Sequence, residues 1–207
     1  MEYNLRMMVW RSSCRMKEFL ESTYYVDYTA SNITKKAKEL FTEDMTDVEK
    51  AEMAFYFVRD EIPHSFDCET SKVTAKASDV LEHKTGICHA KSNLLAALLR
   101  SQGIPAGFRY QHLTLADDDS LGYCLHCYNV AFLEGKWIEL DARGNKPGVD
   151  AQFSLTERKL AFMPREEYDE YFIEGIFAKP DEETMKQLES AQNLGDVVRG
   201  LQDRCAR

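Results

Sequence analysis

Apolar residues recur at helical spacing in several stretches of the first hundred residues. "TDVEKAEMAFYFVRDEI" (46 to 62) predicts a helix opened by a capping box, Thr46 with Glu49 three residues on. Met53, Phe57 and Val58 are expected along one side of it, and Pro63 lies just past its end. "SNITKKAKELF" (31 to 41) predicts a helix with Ser31 or Asn32 as cap. Residues 13 to 22 read as a short helix or the end of one, and "ASDVLEH" as a short helical turn. The strongest pattern begins at Ala90, where Leu94, Leu95, Leu98 and Leu99 recur at helix spacing. Gly103 and then Pro105 supply the stop.

The texture then changes. "AGFRYQHLTL" (106 to 115) is rich in strand formers, and "ADDDSLG" is a polar turn. "YCLHCYNVAFLEGKWIELDA" (123 to 142) predicts two strands joined at Glu134-Gly135. "RGNKPGVD" is loop, and residues 151 to 163 fit no single state. From about 164 the chain is expected to be helical again. A last amphipathic piece at 182 to 204 is expected to cap the domain or pair with a second subunit. Helices, an antiparallel sheet and helices again make an α+β domain.

One residue in this frame raises a chemical question. Cys88 falls in the first turn of the apolar helix, where unpaired N–H groups and partial positive charge favour an anion. The thiolate is the reactive form of cysteine, and such a position lowers its pKa. A cysteine nucleophile needs a base and a group to orient that base. If Glu134 and Gly135 form a two-residue hairpin loop, Leu133 opposes Lys136 and Tyr128 opposes Asp141. His126 then shares a face with Tyr128 and is the diagonal neighbour of Asp141, within side-chain reach. Val130, Phe132 and Trp137 are on that face too, so it is the side expected to pack on the helical layer. Glu139 fits that burial only near the rim or beside a cation. His89 is expected at the surface of the helix start, and His64, His83 and His112 as surface or capping residues.

These residues resemble a known family. "GICHAKSNLLAALLRSQGIPAG" is similar to the Gly-x-Cys helix ending in Gly-Ile-Pro-Ala of the transglutaminase-like superfamily, within the papain-like fold. "LHCYNVAFLEGKWIELDAR" resembles its histidine strand and Gly-Lys-Trp-(x)3-Asp block, and "AEMAFYFVRDEIPHSFD" the segment upstream of the cysteine. Where the family often has His-Ala-Trp, this chain has His126-Cys127-Tyr128. The resemblance implies Cys88 as nucleophile, His126 as general base and acid, and Asp141 as the orienting carboxylate. It implies a catalytic core at 46–163, an N-terminal helical lead-in at 1–45 and a C-terminal helical extension at 164–207, all in one compact domain. The expected activity is acyl transfer on an amide or peptide-like bond through a thioester, with water favoured as acceptor. Backbone N–H groups at the helix start, including that of Cys88, are expected to hold the oxyanion. Transfer to an amine, an arylamine N-acetyltransferase-like use of acyl-CoA, and a non-catalytic binding scaffold stay open as alternatives.

Composition narrows the partners. The 35 acidic and 26 basic residues leave a formal charge of -9, which argues against nucleic acid. No evident basic cluster awaits the phosphates of CoA. No apolar run approaches membrane-spanning length, and the start lacks the apolar core of a signal peptide. The expectation is therefore a cytoplasmic protein with free thiols among its six cysteines, acting on a peptide, protein or small amide. "CLHC" has the spacing of half a zinc site, but residues three apart on a regular strand face opposite ways. Neither metal nor cofactor is expected.

Overall fold

The computed structural model describes residues 16–116 and 119–205. Its elements run α1 (Ser31–Leu40), α2 (Asp47–Glu61), α3 (Ala77–His83), α4 (Cys88–Ser101), β1 (Ala106–Thr114), β2 (Tyr123–Leu133), β3 (Lys136–Leu140), β4 (Tyr171–Phe177), α5 (Glu182–Ser190) and α6 (Leu194–Cys205). Residues 13–15 of the first expected helix lie outside the described residues, and a 3₁₀ turn occupies Glu18–Leu20.

Local chemistry sets the helix starts. Thr46 and Glu49 exchange the two hydrogen bonds of a capping box ahead of α2. The buried side of α2 is Ala51, Ala54, Phe55 and Val58, an i, i+3, i+4, i+7 stripe, while Met53 points outward. At α1 the cap is Ala30, and neither Ser31 nor Asn32 caps the helix. The Asn32 amide instead donates to the Ser78 carbonyl at 2.9 Å, tying α1 to α3.

Helix α4 is the centre of the molecule. Ala90 and every residue from Leu94 to Leu99 are buried, as expected of a helix apolar on all sides. Arg100, at its C-terminal end, is also buried. Its guanidinium donates to the carbonyls of Glu21, Ala106 and Ala178, joining three distant segments. Replacing Arg100 with methionine keeps the stem but strands these carbonyls. A loss of about 3 kcal/mol is expected, read as a lower urea midpoint at unchanged slope. An unchanged midpoint would show that water replaces the guanidinium without cost.

The sheet is antiparallel throughout, in the order β3-β2-β1-β4. The hairpin loop is Glu134-Gly135, with φ of 49° and 81°, the two positive values that a type I′ turn requires. The register therefore runs from Leu133↔Lys136 to Asn129↔Leu140, as the sequence predicts. Two expectations fail. First, the chain beyond 164 is not simply helical. After a 3₁₀ turn at Glu166–Tyr168 it supplies β4, which pairs along the free edge of β1. Charged residues interrupt the apolar pattern there, and pairing with β1 decides the conformation. Second, the helical layer packs on the other face of the hairpin, through Phe108, Tyr110, Cys127, Ala131, Leu133, Ile138 and Leu140. The alternate residues are covered separately: Trp137 packs edge-on against Phe19 and Phe132, with ring centroids 4.9 and 5.4 Å apart. Glu139 fits on that side because Arg109, Arg158 and the Tyr128 hydroxyl all reach its carboxylate. Among the described residues no helix is long and apolar enough to cross a membrane.

Candidate active site

Cys88 is the first residue of α4, with Ile87 in the cap position, whose own side chain makes no capping hydrogen bond. The open amides of that turn and the helix dipole act on the thiol. Gly86 allows the close approach, since a Cβ there would lie 3.2 Å from the Ala90 Cβ and 3.3 Å from the Thr74 hydroxyl. Cys88 itself is half-buried.

His126 and Asp141 are brought together as the hairpin register requires. The Nε2 atom of His126 lies 2.9 Å from Oδ2 of Asp141, and both side chains are buried. Asp141 also accepts the backbone N–H of Ala161 at 2.9 Å and that of Arg143 at 3.2 Å. The Phe162 ring stands edge-on to the imidazole, 5.3 Å between centroids. Nε2 is thus committed to the carboxylate, and the ring also acts on the Cys88 thiol.

The electrostatics of the two side chains are coupled. Burial alone would raise the Cys88 thiol, but His89, His126 and His64 around it reverse this and hold its pKa well below the ordinary value. Burial would likewise lower His126, but the Asp141 carboxylate and the Cys88 sulfur outweigh it and raise the imidazole to about 10. The favoured form is a thiolate facing an imidazolium. Cys127 shows the contrast. Burial pushes that thiol well above its usual range, and the negative charge of Cys88 pushes the same way. Cys124 packs instead toward the α5–α6 cluster, away from the core that holds Cys127.

Four neighbours were not singled out by the sequence pattern. His64 is buried, and its Nε2 accepts the Cys88 backbone N–H at 3.0 Å. His89 is fully buried, not at the surface. Its Nδ1 lies 3.4 Å from Cys88 Sγ, and its Nε2 has no hydrogen-bond partner among the described residues. Among the described residues no third group orients His89, which separates it from the carboxylate-held His126. Arg143 forms a two-pronged pair with Asp67, tying the loop after His64 to the loop after Asp141. Lys91, one turn into α4, is buried and donates to the carbonyls of Ile62 and Arg59 at the end of α2. Burial, helped by the Arg143 charge, lowers its pKa to about 7. The "PHSFD" run just past α2 was a possible signal for His64, but nothing local says that its ring folds onto Gly86 and Cys88. His112 lies between the rings of Tyr123 and Tyr171, stacked at 4.4 and 4.8 Å, away from this cluster.

Comparison with known proteins agrees with this architecture. Kyphoscoliosis peptidase of Mus musculus is 24% identical over 82% of this chain, and the match spans 27% of that protein. The chain therefore spans about a quarter of the length of this curated relative. A solved structure, a proposed cysteine protease from Cytophaga hutchinsonii, shares the fold with a TM-score of 0.51 at 18% identity. That match covers 62% of this chain and 42% of the other. The sequence pattern of the transglutaminase-like superfamily matches residues 34–142, more than half of the chain, from α1 to just past Asp141. By that match the chain belongs to the transglutaminase-like superfamily.

Proposed function

We propose that this protein is a cysteine-dependent acyl-transfer enzyme that cleaves an amide or peptide-like bond, with Cys88, His126 and Asp141 as its catalytic residues. The observation that carries the reading is the half-buried cysteine at a helix start, held as thiolate opposite an imidazole whose far nitrogen is bound by a buried carboxylate. The sulfur of Cys88 attacks the carbonyl carbon, and the carbonyl electron pair moves to oxygen. His126, protonated at Nδ1, gives that proton to the leaving nitrogen as the C–N bond breaks and a thioester remains. His126 then takes a proton from water, which attacks the thioester, releases the acid and restores the thiolate–imidazolium pair. Asp141 keeps the ring in the productive orientation and balances its charge. The names of the relatives, a peptidase and a proposed protease, support water as the acceptor.

The test is to incubate the protein with an unfolded protein substrate and a fluorescent primary amine, alongside Cys88→Ala. New N-termini that depend on Cys88, without amine incorporation, are expected. Incorporation of the amine in place of cleavage would identify a transferase. Absence of both, with no acyl-enzyme by mass spectrometry, would mark a binding scaffold.

A further inference from the structure

Helix α2 carries apolar side chains on two opposite sides. One is the core stripe of Ala51, Ala54, Phe55 and Val58. On the other side Met53, Tyr56 and Phe57 recur at i, i+3 and i+4 and line an open groove of about 640 Å³. Met45, from the turn before the helix, joins that lining. Met53 is 39% exposed, and Tyr56 and Phe57 are only partly buried. An apolar groove rimmed by charge marks an interaction site on a protein surface.

The rim says what kind of partner fits. Every charged residue lining the groove is acidic: Glu49, Glu52, Asp60 and Glu61. Asp60 is matched by Arg59 at 2.7 Å, and nearby Lys36 is taken by Glu39. Glu49, Glu52 and Glu61 are exposed. The ring faces already draw cations. The Lys36 ammonium lies 5.3 Å from the centroid of Phe57, and the Arg59 guanidinium 4.6 Å from that of Tyr56. A second copy of the chain would bring the same acids against these, setting like charges in contact. A nucleic acid or an anionic lipid surface meets the same repulsion.

We propose that the outer side of α2 is a docking groove for a basic amphipathic helix of a partner protein. The partner's apolar side chains lie on Met53, Tyr56 and Phe57, and its lysines or arginines meet Glu49, Glu52 and Glu61. The residues from Glu49 to Glu61 rise about 18 Å along the helix axis, the length of about three turns of such a partner. Met45 and Met53 suit the task, because an unbranched thioether repacks around apolar partners of different shape. The apolar row supplies the contact and the acids set the orientation, as where an amphipathic helix lies in a groove. None of these residues belongs to the Cys88 cluster, so the inference stands apart from the acyl-transfer reading.

The probe is a fluorescein-labelled synthetic peptide of about 14 residues, with leucine at helix spacing and lysine elsewhere. Its twin has glutamate in place of lysine. Fluorescence anisotropy with the full chain should show binding of the lysine peptide that weakens with added salt, and no binding of the twin. Glu52→Lys combined with Glu61→Lys is expected to weaken binding by at least about tenfold, and Met53→Ser by about tenfold. Glu82→Lys combined with Glu166→Lys, at two exposed acids outside the groove, makes the same change in net charge and should bind as wild type does. All the substituted positions are exposed, so urea midpoints should stay near wild type and keep a binding loss distinct from unfolding. No binding of the lysine peptide would overturn the proposal. Equal weakening by both charge-reversed pairs would also overturn it, reducing the effect to net charge. A dimer in sedimentation that Met53→Ser dissolves would overturn it too, because the occupant would be a second copy.

Discussion

The His126→Ala variant is expected to lose turnover by about 10⁶-fold, the scale seen when the base of such a triad is removed. Alkylation of Cys88 by iodoacetamide near neutral pH should fall far less, by roughly tenfold. An ordinary thiol is a few per cent thiolate at pH 7, and its higher basicity makes each thiolate more reactive. The pH dependence is the sharper readout. In the wild type the thiol titrates well below its usual value, so the alkylation rate is retained through neutral pH and drops only in acid. His126 keeps its proton up to about 10, so the ion pair persists across that window. Without His126 the rate should rise with pH toward the ordinary thiol value of about 8.5, tempered by what His64 and His89 still contribute. A variant whose profile overlays the wild type would place the thiolate's stabilisation in the helix start and the other histidines.

Asp141→Asn is expected to combine two losses. The imidazolium loses its balancing charge and the ring its preferred tautomer, so turnover should fall by about 10³-fold, less than for His126→Ala. Stability should fall too, by about 2 kcal/mol, because the buried carboxylate accepts from His126, Ala161 and Arg143 at once. An asparagine has one acceptor oxygen, and its amide turns a donor toward one of those partners. Kinetics and urea unfolding on the same sample separate the two. A variant that loses stability but keeps full turnover would make Asp141 a structural residue only.

The parts of the molecule legible in the sequence are those set by neighbours along the chain. The capping box of Thr46 and Glu49, the helix start at Cys88 and the Glu134-Gly135 turn depend on residues within a few positions of one another. The hairpin register followed from the turn, and with it the diagonal that brings His126 to Asp141. The features that escaped depend on distant pairing. Tyr171 to Phe177 alternates too irregularly to declare a strand, and the free edge of β1 makes it one. The orientation of the sheet is not legible in the sequence because both faces of the hairpin are covered, so Val130 and Trp137 are as core-like in pattern as Ala131 and Leu133. Nothing local in the sequence shows that His64 and His89 meet the sulfur. A bridge to Gly86 and the depth of α4 put them against the sulfur.

The segment shared with the superfamily ends at residue 142, and the chain that completes its sheet comes almost thirty residues later. A fragment trimmed to the shared segment would leave the β1 edge from Phe108 to His112 without the hydrogen bonds that β4 gives it, an open template for joining another chain. It would also remove the Ala161 amide from Asp141 and the Phe162 ring from His126, letting water compete for the carboxylate. The homologous unit and the folding unit are therefore different lengths of chain. A graft of this site onto another scaffold has to carry the later stretch, because the orientation of the imidazole is fixed partly by residues outside the recognisable motif.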